Sequence, residues 1–112
     1  MKKTDTLKKN YEFKNVLTKG KGYYGKYVNA YIIKDDATVN KIGIAVGKKV
    51  AIAVKRNRIK RWIREAYSLF ESNLKSNCRI VFILKKEVQI EEMNFEKVKK
   101  DIEELFMKAG II

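Results

Sequence analysis

The chain has 112 residues, 46% of them hydrophobic, and its 26 Lys and Arg against 13 Asp and Glu give a net charge of +13. This length predicts one domain, residues 1–112, with a single modest core. Self-repulsion of the excess charge opposes compaction, which favours a polyanionic partner, nucleic acid ahead of an anionic membrane surface. A surface that is basic only for solubility is the weaker alternative.

The cysteine and histidine content narrows the chemistry. Cys78 is the only cysteine and there is no histidine, so no disulfide framework is expected, and a reducing compartment fits. No apolar run approaches the roughly 18 residues of a membrane span. The start, "MKKTDTLKK", has no apolar stretch typical of a signal peptide. We therefore expect a soluble, cytoplasmic protein.

The first half of the chain predicts a short helix followed by strands. The helix runs from Tyr11 to Lys19, with Asn10 as its N-cap and Gly20 at its end. Aromatic and β-branched residues at 25–33 predict a strand, and residues 41–47 its neighbour in a hairpin or meander. Residues 22–33 could instead hold two short strands with a bend near Gly25. The segment "KDDATVN", residues 34–40, is turn-like.

The second half predicts a long helix, a strand and a last helix. Apolar residues recur at three- and four-residue steps: Ile59, Trp62, Ile63, Ala66, Tyr67, Phe70 and Leu74. The opposite arc holds Asn57, Lys60, Arg61, Arg64 and Ser68. The start of this helix is left open between Ile52 and Asn57. Residues 78–84 predict a central strand buried on both faces, and residues 94–108 an amphipathic helix.

This order of elements predicts an α+β fold. We expect a two-layer sandwich in which helices cover one face of a small, mostly antiparallel sheet and leave the other face partly open. Trp62 is predicted as a core anchor and Cys78 as an inert residue of the buried strand.

The basic stretch "AVKRNRIKRWIREAY", residues 53–67, is the most specific feature. Six cations precede its first acid, Glu65, and they crowd the helix start, where the backbone already carries partial positive charge. A phosphate neutralises such side chains and accepts hydrogen bonds from free amides, and arginine suits bidentate contact with it. The stretch therefore favours nucleic-acid binding over an idle solvated face.

These residues also carry a family resemblance. The segment "GIAVGKKVAIAVKRNRIKRWIREAY", residues 43–67, resembles the signature of the bacterial ribonuclease P protein subunit: a Lys-Lys pair after a strand, then an "RNR" helix. Upstream, "LKKNYEFKNVLTKG", residues 7–20, resembles the first helix of that family. The resemblance covers nearly the whole chain.

The resemblance implies an accessory subunit of a ribonucleoprotein endoribonuclease. In that family a catalytic RNA, using Mg²⁺, removes the 5′ leader from precursor tRNA, and the protein supplies binding rather than catalytic side chains. It also implies the fold of the second domain of a small-subunit ribosomal protein, with a left-handed βαβ crossover. A metal ion near the RNA contacts is implied as well.

The resemblance assigns two RNA-binding surfaces. The first docks on the catalytic RNA: Arg56, Asn57, Arg58, Lys60, Arg61 and Arg64, supported by Lys48, Lys49 and Lys55. The second is a leader-binding cleft between the first helix and the sheet: Phe13, Leu17, Tyr27, Tyr31, Lys14 and Lys26, with Tyr24 as a further candidate. Strand alternation places Tyr27, Asn29 and Tyr31 on one face. Leu17 stands where many members carry an aromatic residue.

Four alternatives compete with this interpretation. A generic RNA- or ribosome-binding protein fits the composition equally well. A DNA-binding regulator is disfavoured because no helix-turn-helix pair precedes the basic helix, and a protein-only nuclease because histidine is missing. A membrane-surface helix is disfavoured because its apolar arc is needed for the core.

Overall fold

Five strands and three helices form the part of the chain that the computed structural model describes, residues 4–34 and 39–112. The strands are β1 (Thr4–Thr6), β2 (Lys21–Tyr24), β3 (Val28–Lys34), β4 (Asn40–Ala45) and β5 (Cys78–Leu84). The helices are α1 (Asn10–Lys19), α2 (Ala53–Phe70) and α3 (Phe95–Ala109), with short 3₁₀ turns at Glu71–Asn73 and Ile90–Glu92. The α+β class predicted from the sequence is confirmed. The acidic pair of the predicted turn, Asp35 and Asp36, lies outside the described residues.

The strands form one mixed sheet in the order β1-β4-β5-β3-β2. β5 pairs in parallel with β4 and antiparallel with β3, so the expected hairpin between residues 25–33 and 41–47 is wrong. β5 lies between those two segments because its apolar run is buried on both faces and paired on both edges. The β4–α2–β5 connection makes that pair parallel, and β1 also adds in parallel to β4. The sheet is therefore mixed rather than mostly antiparallel; the left-handed turn of the crossover stays a prediction.

Both faces of the sheet carry helices, which corrects the expected one-sided arrangement. α2 and α3 cover the face that presents Ile80 and Phe82 of β5. α1 covers part of the opposite face, where Val16 and Leu7 pack on Val81. Because consecutive residues of a strand point to opposite faces, the continuous apolar run of β5 needs cover on both sides. α1 supplies that cover over only part of the second face.

The main core lies between the sheet and the α2–α3 pair. Tyr67 of α2 packs edge-on against Phe82 and Phe106, with ring centroids 6.3 Å apart in each pair. The Tyr67 hydroxyl lies 2.7 Å from Thr4 Oγ1, which also donates to Glu71. Burial raises the pKa of Tyr67 to about 12, so this hydroxyl keeps its proton at neutral pH. The contact ties the edge strand β1 to the end of α2.

A buried carboxylate shapes the bend between β2 and β3. Asp101 of α3 is 4% exposed and accepts three backbone N–H bonds, from Lys26 at 2.8 Å and from Tyr27 and Val28 at 2.9 Å. A Cβ at Gly25 would lie 2.5 Å from this carboxylate, so only glycine fits there. The two-strand alternative for residues 22–33, with its bend near Gly25, is therefore the correct one.

Helix ends follow the sequence signals in part, since Lys9 rather than the predicted Asn10 is the N-cap of α1, and α2 ends at Phe70, before the predicted Leu74. α1 begins one residue earlier than predicted, and Glu12 Oε1 accepts from the Lys9 N–H at 3.2 Å, which holds the pKa of Glu12 below its ordinary value. Asn94 caps α3 by accepting from the Lys97 N–H at 2.9 Å, and Gly110 ends the helix with a left-handed φ of 70°. Within residues 4–34 and 39–112, no helix has the length and apolar character needed to cross a membrane.

Candidate RNA interface

The basic helix α2 starts at Ala53, which settles the position of its cations. Arg56 lies inside the first turns rather than before the helix, and its Nη1 donates to the Ala51 carbonyl oxygen at 2.8 Å. That bond satisfies one carbonyl of the loop leading into α2 and holds the guanidinium against the start of the helix. Arg56 therefore has a structural role there in addition to its charge.

The polar arc of α2 faces solvent as the periodicity predicts. Asn57, Arg58, Arg61 and Arg64 are exposed, while Lys60 is half-buried. The half-buried Lys55 Nζ lies 3.6 Å from a carboxylate oxygen of Glu91 in the second 3₁₀ turn. The first turn of α2 contains no acid, and Ile52 makes no side-chain capping bond. The result is a positive surface at a helix N-terminus, which favours phosphate.

Two more predicted cations lie in the segment that joins β4 to α2. Lys48 and Lys49 are exposed in the turn after β4, on the rim of a cavity of about 430 Å³. Its apolar floor includes Ala45 and Ile83, and Lys86 lies on the rim as well. Sequence reasoning missed Lys86. The sequence signal for Lys86 was the Lys85-Lys86 pair directly after β5. Because β4 and β5 are parallel, the segments that follow them lie at the same end of the sheet.

The second surface lies on the α1 face of the sheet. Phe13 of α1 packs over Gly43, where a Cβ would come within 2.5 Å of the ring. Leu17 is 37% exposed, and Lys14 is exposed. Leu17 follows Phe13 by one helical turn, and Lys14 is the residue next to Phe13. The cleft between α1 and the sheet stays a prediction.

Tyrosines line the sheet side of the predicted cleft. Tyr31 is half-buried beside α1, and its ring meets that of Tyr24 edge-on at 6.3 Å between centroids. Burial raises the pKa of Tyr31. Tyr24 is 59% exposed. It pairs with Asn29 of β3, Asn29 pairs with Ile83 of β5, and Ile83 pairs with Ala45 of β4. Tyr24 is the exposed aromatic of the predicted cleft.

Tyr27 and Lys26 do not belong to the cleft, so their predicted placement is wrong. Tyr27 is 6% exposed and lies in the main core, and the Lys26 ammonium sits 5.5 Å from its ring centroid. With Asp101, both line a surface depression beside α3. The strand alternation that was predicted to place Tyr27 on the same face as Tyr31 does not include Tyr27, because the bend held by Asp101 ends just before β3 begins at Val28.

Two further predictions concern the packing of Trp62 and Cys78. Trp62 is half-buried and packs against the main core, and Cys78 is buried within β5. In the described part of the chain, no group of three or more His, Cys, Asp or Glu side chains is placed to hold a metal ion.

Comparison with known proteins identifies the family. A family model described as Ribonuclease P matches residues 1–110. The chain belongs to the ribonuclease P protein family. The ribonuclease P protein component of Dictyoglomus turgidum is 39% identical, over 98% of this chain and 92% of that protein. That of Natranaerobius thermophilus is 32% identical, over 96% and 91%.

Solved structures of ribonuclease P proteins share the fold. The Staphylococcus aureus RNase P protein superposes with a TM-score of 0.82 at 26% identity, covering 95% of each chain. The RNase P protein from Thermotoga maritima gives 0.82 at 24% identity, over 93% of this chain and 96% of that one. The family predicted from the RNR stretch is thus confirmed.

Proposed function

We propose that this chain is the protein subunit of a ribonuclease P holoenzyme, in which it binds the catalytic RNA and the 5′ leader of precursor tRNA. The observation that carries the proposal is the cationic surface at one end of the sheet. Arg58, Arg61 and Arg64 are exposed on α2, and Lys48 and Lys49 are exposed in the segment that joins β4 to this helix. Membership of the ribonuclease P protein family indicates that the RNA bound by this surface is the catalytic RNA of ribonuclease P.

The two surfaces have different chemistry and so suit different RNA segments. The α2 surface is rich in arginine, which contacts structured RNA through its phosphates without needing unpaired bases. The cleft offers aromatic rings beside a lysine, the combination that binds single strands with little sequence preference. We assign the catalytic RNA to α2 and the single-stranded leader to the cleft.

In this proposal the RNA carries the chemistry of leader removal. Mg²⁺ bound by the RNA would supply the activated water and stabilise the leaving oxygen. The protein positions the substrate by holding the leader in the cleft while α2 is docked on the RNA. No protein side chain is assigned a catalytic role or a bond to the metal.

Reconstitution tests this function directly. Adding the protein to a bacterial ribonuclease P RNA at low Mg²⁺ is expected to restore precursor-tRNA cleavage, because the bound cations replace part of the electrostatic screening that high Mg²⁺ supplies. Cleavage is followed by release of the leader on a gel, with RNA alone and protein alone as controls. Unchanged cleavage would leave only a generic RNA-binding role. Cleavage by protein alone would contradict catalysis by RNA.

The cleft is tested by the exposed tyrosine Tyr24. Tyr24→Ala is expected to weaken binding of leader-containing precursor to the holoenzyme about tenfold, since one stacked base contributes roughly 1–3 kcal/mol. Binding of mature tRNA should stay unchanged. Tyr11→Ala is the matched control, because Tyr11 is 67% exposed on the first turn of α1 and lies outside the α1 packing cluster. Equal losses for precursor and mature tRNA would rule out the cleft as the leader site.

A further inference from the structure

A second basic depression lies at the opposite end of β5 from the turn that carries Lys48 and Lys49. We propose that this depression, the lysine groove formed by Lys19, Lys21, Lys34 and Lys108, binds the phosphate backbone of the leader beyond the cleft. The inference rests on the proposed function and extends it, because it assigns the RNA segment farther from the cleavage site to these residues.

The lysine groove is concave, and the charged side chains among its described lining residues are all lysines. It encloses about 550 Å³ over a floor that includes Tyr23, Ile32 and Ile33, and its four lysines are exposed. They come from the end of α1, the start of β2, the end of β3 and the last turn of α3. No acidic residue is among the described residues that line it. Four cations around one depression repel one another, and a polyanion relieves that repulsion.

Stabilisation of helix ends accounts for the positions of only two of the four lysines. Lys19 and Lys108 occupy the last turns of α1 and α3, where a cation stabilises the helix end. Lys108 Nζ also lies 3.4 Å from the Tyr24 carbonyl oxygen. Lys21 and Lys34 are strand residues without such a role. The Lys21 ammonium lies 5.6 Å from the Tyr23 ring centroid, which holds it beside the groove floor.

The lysine groove continues the cleft around the edge strand β2. Alternation along this four-residue strand directs Gly22 and Tyr24 toward the cleft, and Lys21 and Tyr23 toward the α3 side. β2 is the last strand of the described sheet on this side. An RNA strand leaving the cleft can therefore cross β2 and meet Lys21 directly.

The groove is too far from the turn that carries Lys48 and Lys49 to share its RNA contact. Lys34 pairs with Cys78 at the start of β5, whereas Ala45 pairs with Ile83 near its end, where the chain continues toward Lys48. Five residues of strand separate the two positions, about 17 Å. A phosphate at the groove is therefore not one that Lys48 or Lys49 holds.

Leader length provides the test. Holoenzyme containing Lys21→Gln with Lys34→Gln is compared with wild type on precursors that carry leaders of about 5 and about 15 nucleotides, lengths that fill the cleft or extend beyond it. We expect the variant to bind the long-leader precursor about tenfold more weakly and the short-leader precursor as wild type does. Its salt slope on the long leader should fall by about 1.4, or 0.7 for each lost single-strand phosphate contact.

The control variant is Lys75→Gln with Lys100→Gln, two exposed lysines outside the groove that give the same change in net charge. It should match wild type on both leaders. The proposal is overturned if the groove variant binds the long leader as wild type does, or if it loses equally on both lengths. Cleavage of the short-leader precursor reports the proposed function separately, because that substrate does not reach the groove.

Discussion

Replacing Arg58 and Arg61 by alanine is expected to weaken binding to a bacterial ribonuclease P RNA about a hundredfold. Both side chains are exposed on the polar arc of α2, so each can meet a phosphate without rearrangement of the protein. A charge-assisted hydrogen bond contributes about 1.5 kcal/mol or more, and arginine forms two in parallel. Two lost contacts therefore account for the expected fall in affinity.

The salt dependence of binding separates a phosphate contact from a loss of structure. Each contact releases condensed counterions, so the slope of log K against log salt should decrease by about 2 in the double variant. Filter binding or fluorescence titration at several salt concentrations measures this slope. Loss of folding would instead remove binding at every salt concentration and would appear in circular dichroism.

A matched control removes the same charge from another part of the surface. Lys75→Ala with Lys100→Ala lowers the net charge equally but lies outside α2. We expect this pair to change affinity less than threefold, because exposed charges farther away than about 10 Å are screened. An unchanged salt slope in the Arg58 and Arg61 variant would rule out this face of α2 as the docking site.

Asp101→Asn is expected to lower the free energy of unfolding by about 3 kcal/mol. The carboxylate is buried and accepts from three backbone N–H groups, those of Lys26, Tyr27 and Val28. An amide keeps one acceptor oxygen and turns an NH₂ group toward the remaining N–H donors. Each unsatisfied buried group costs about 1–3 kcal/mol, and bonds to a charged acceptor are the stronger kind. Urea denaturation followed by circular dichroism measures the change.

Glu103→Gln is the control for this experiment. Glu103 lies two residues along α3 and is exposed, so its replacement should change stability by no more than about 0.5 kcal/mol. If Asp101→Asn loses less than about 1 kcal/mol, the carboxylate does not hold the bend between β2 and β3. The bend would then depend on Gly25 and the packing of Tyr27 alone.

Local periodicity predicted the helices and the central strand well. The apolar steps of α2 require only neighbours within a few turns, and Ile59, Ile63 and Tyr67 are buried as expected. The run of β5 was recognised because a strand buried on both faces has no polar alternation. The α2 surface followed from the same pattern, since the arc left over from the core contains its cations.

The errors have a common cause in contacts between distant parts of the chain. Tyr27 does not lie in the predicted cleft because Asp101, 74 residues away along the chain, determines the bend before β3. The predicted hairpin failed because β5 inserts between β3 and β4. α1 covers the second sheet face because Val81 and Ile83 need burial there. None of these contacts leaves a signal within a short window of sequence.

By itself, the sequence determined the α+β class, the helix faces, the central strand and the ribonuclease P family, all of which depend on residue order over short spans. Only the tertiary structure decided the strand order, the position of α1 and which of the predicted cleft residues lie on the α1 face of the sheet. It also brought Lys19, Lys21, Lys34 and Lys108 from four elements to one groove. Charge can be counted along a chain, but whether separate cations act on one phosphate backbone depends on distances that only the folded chain sets.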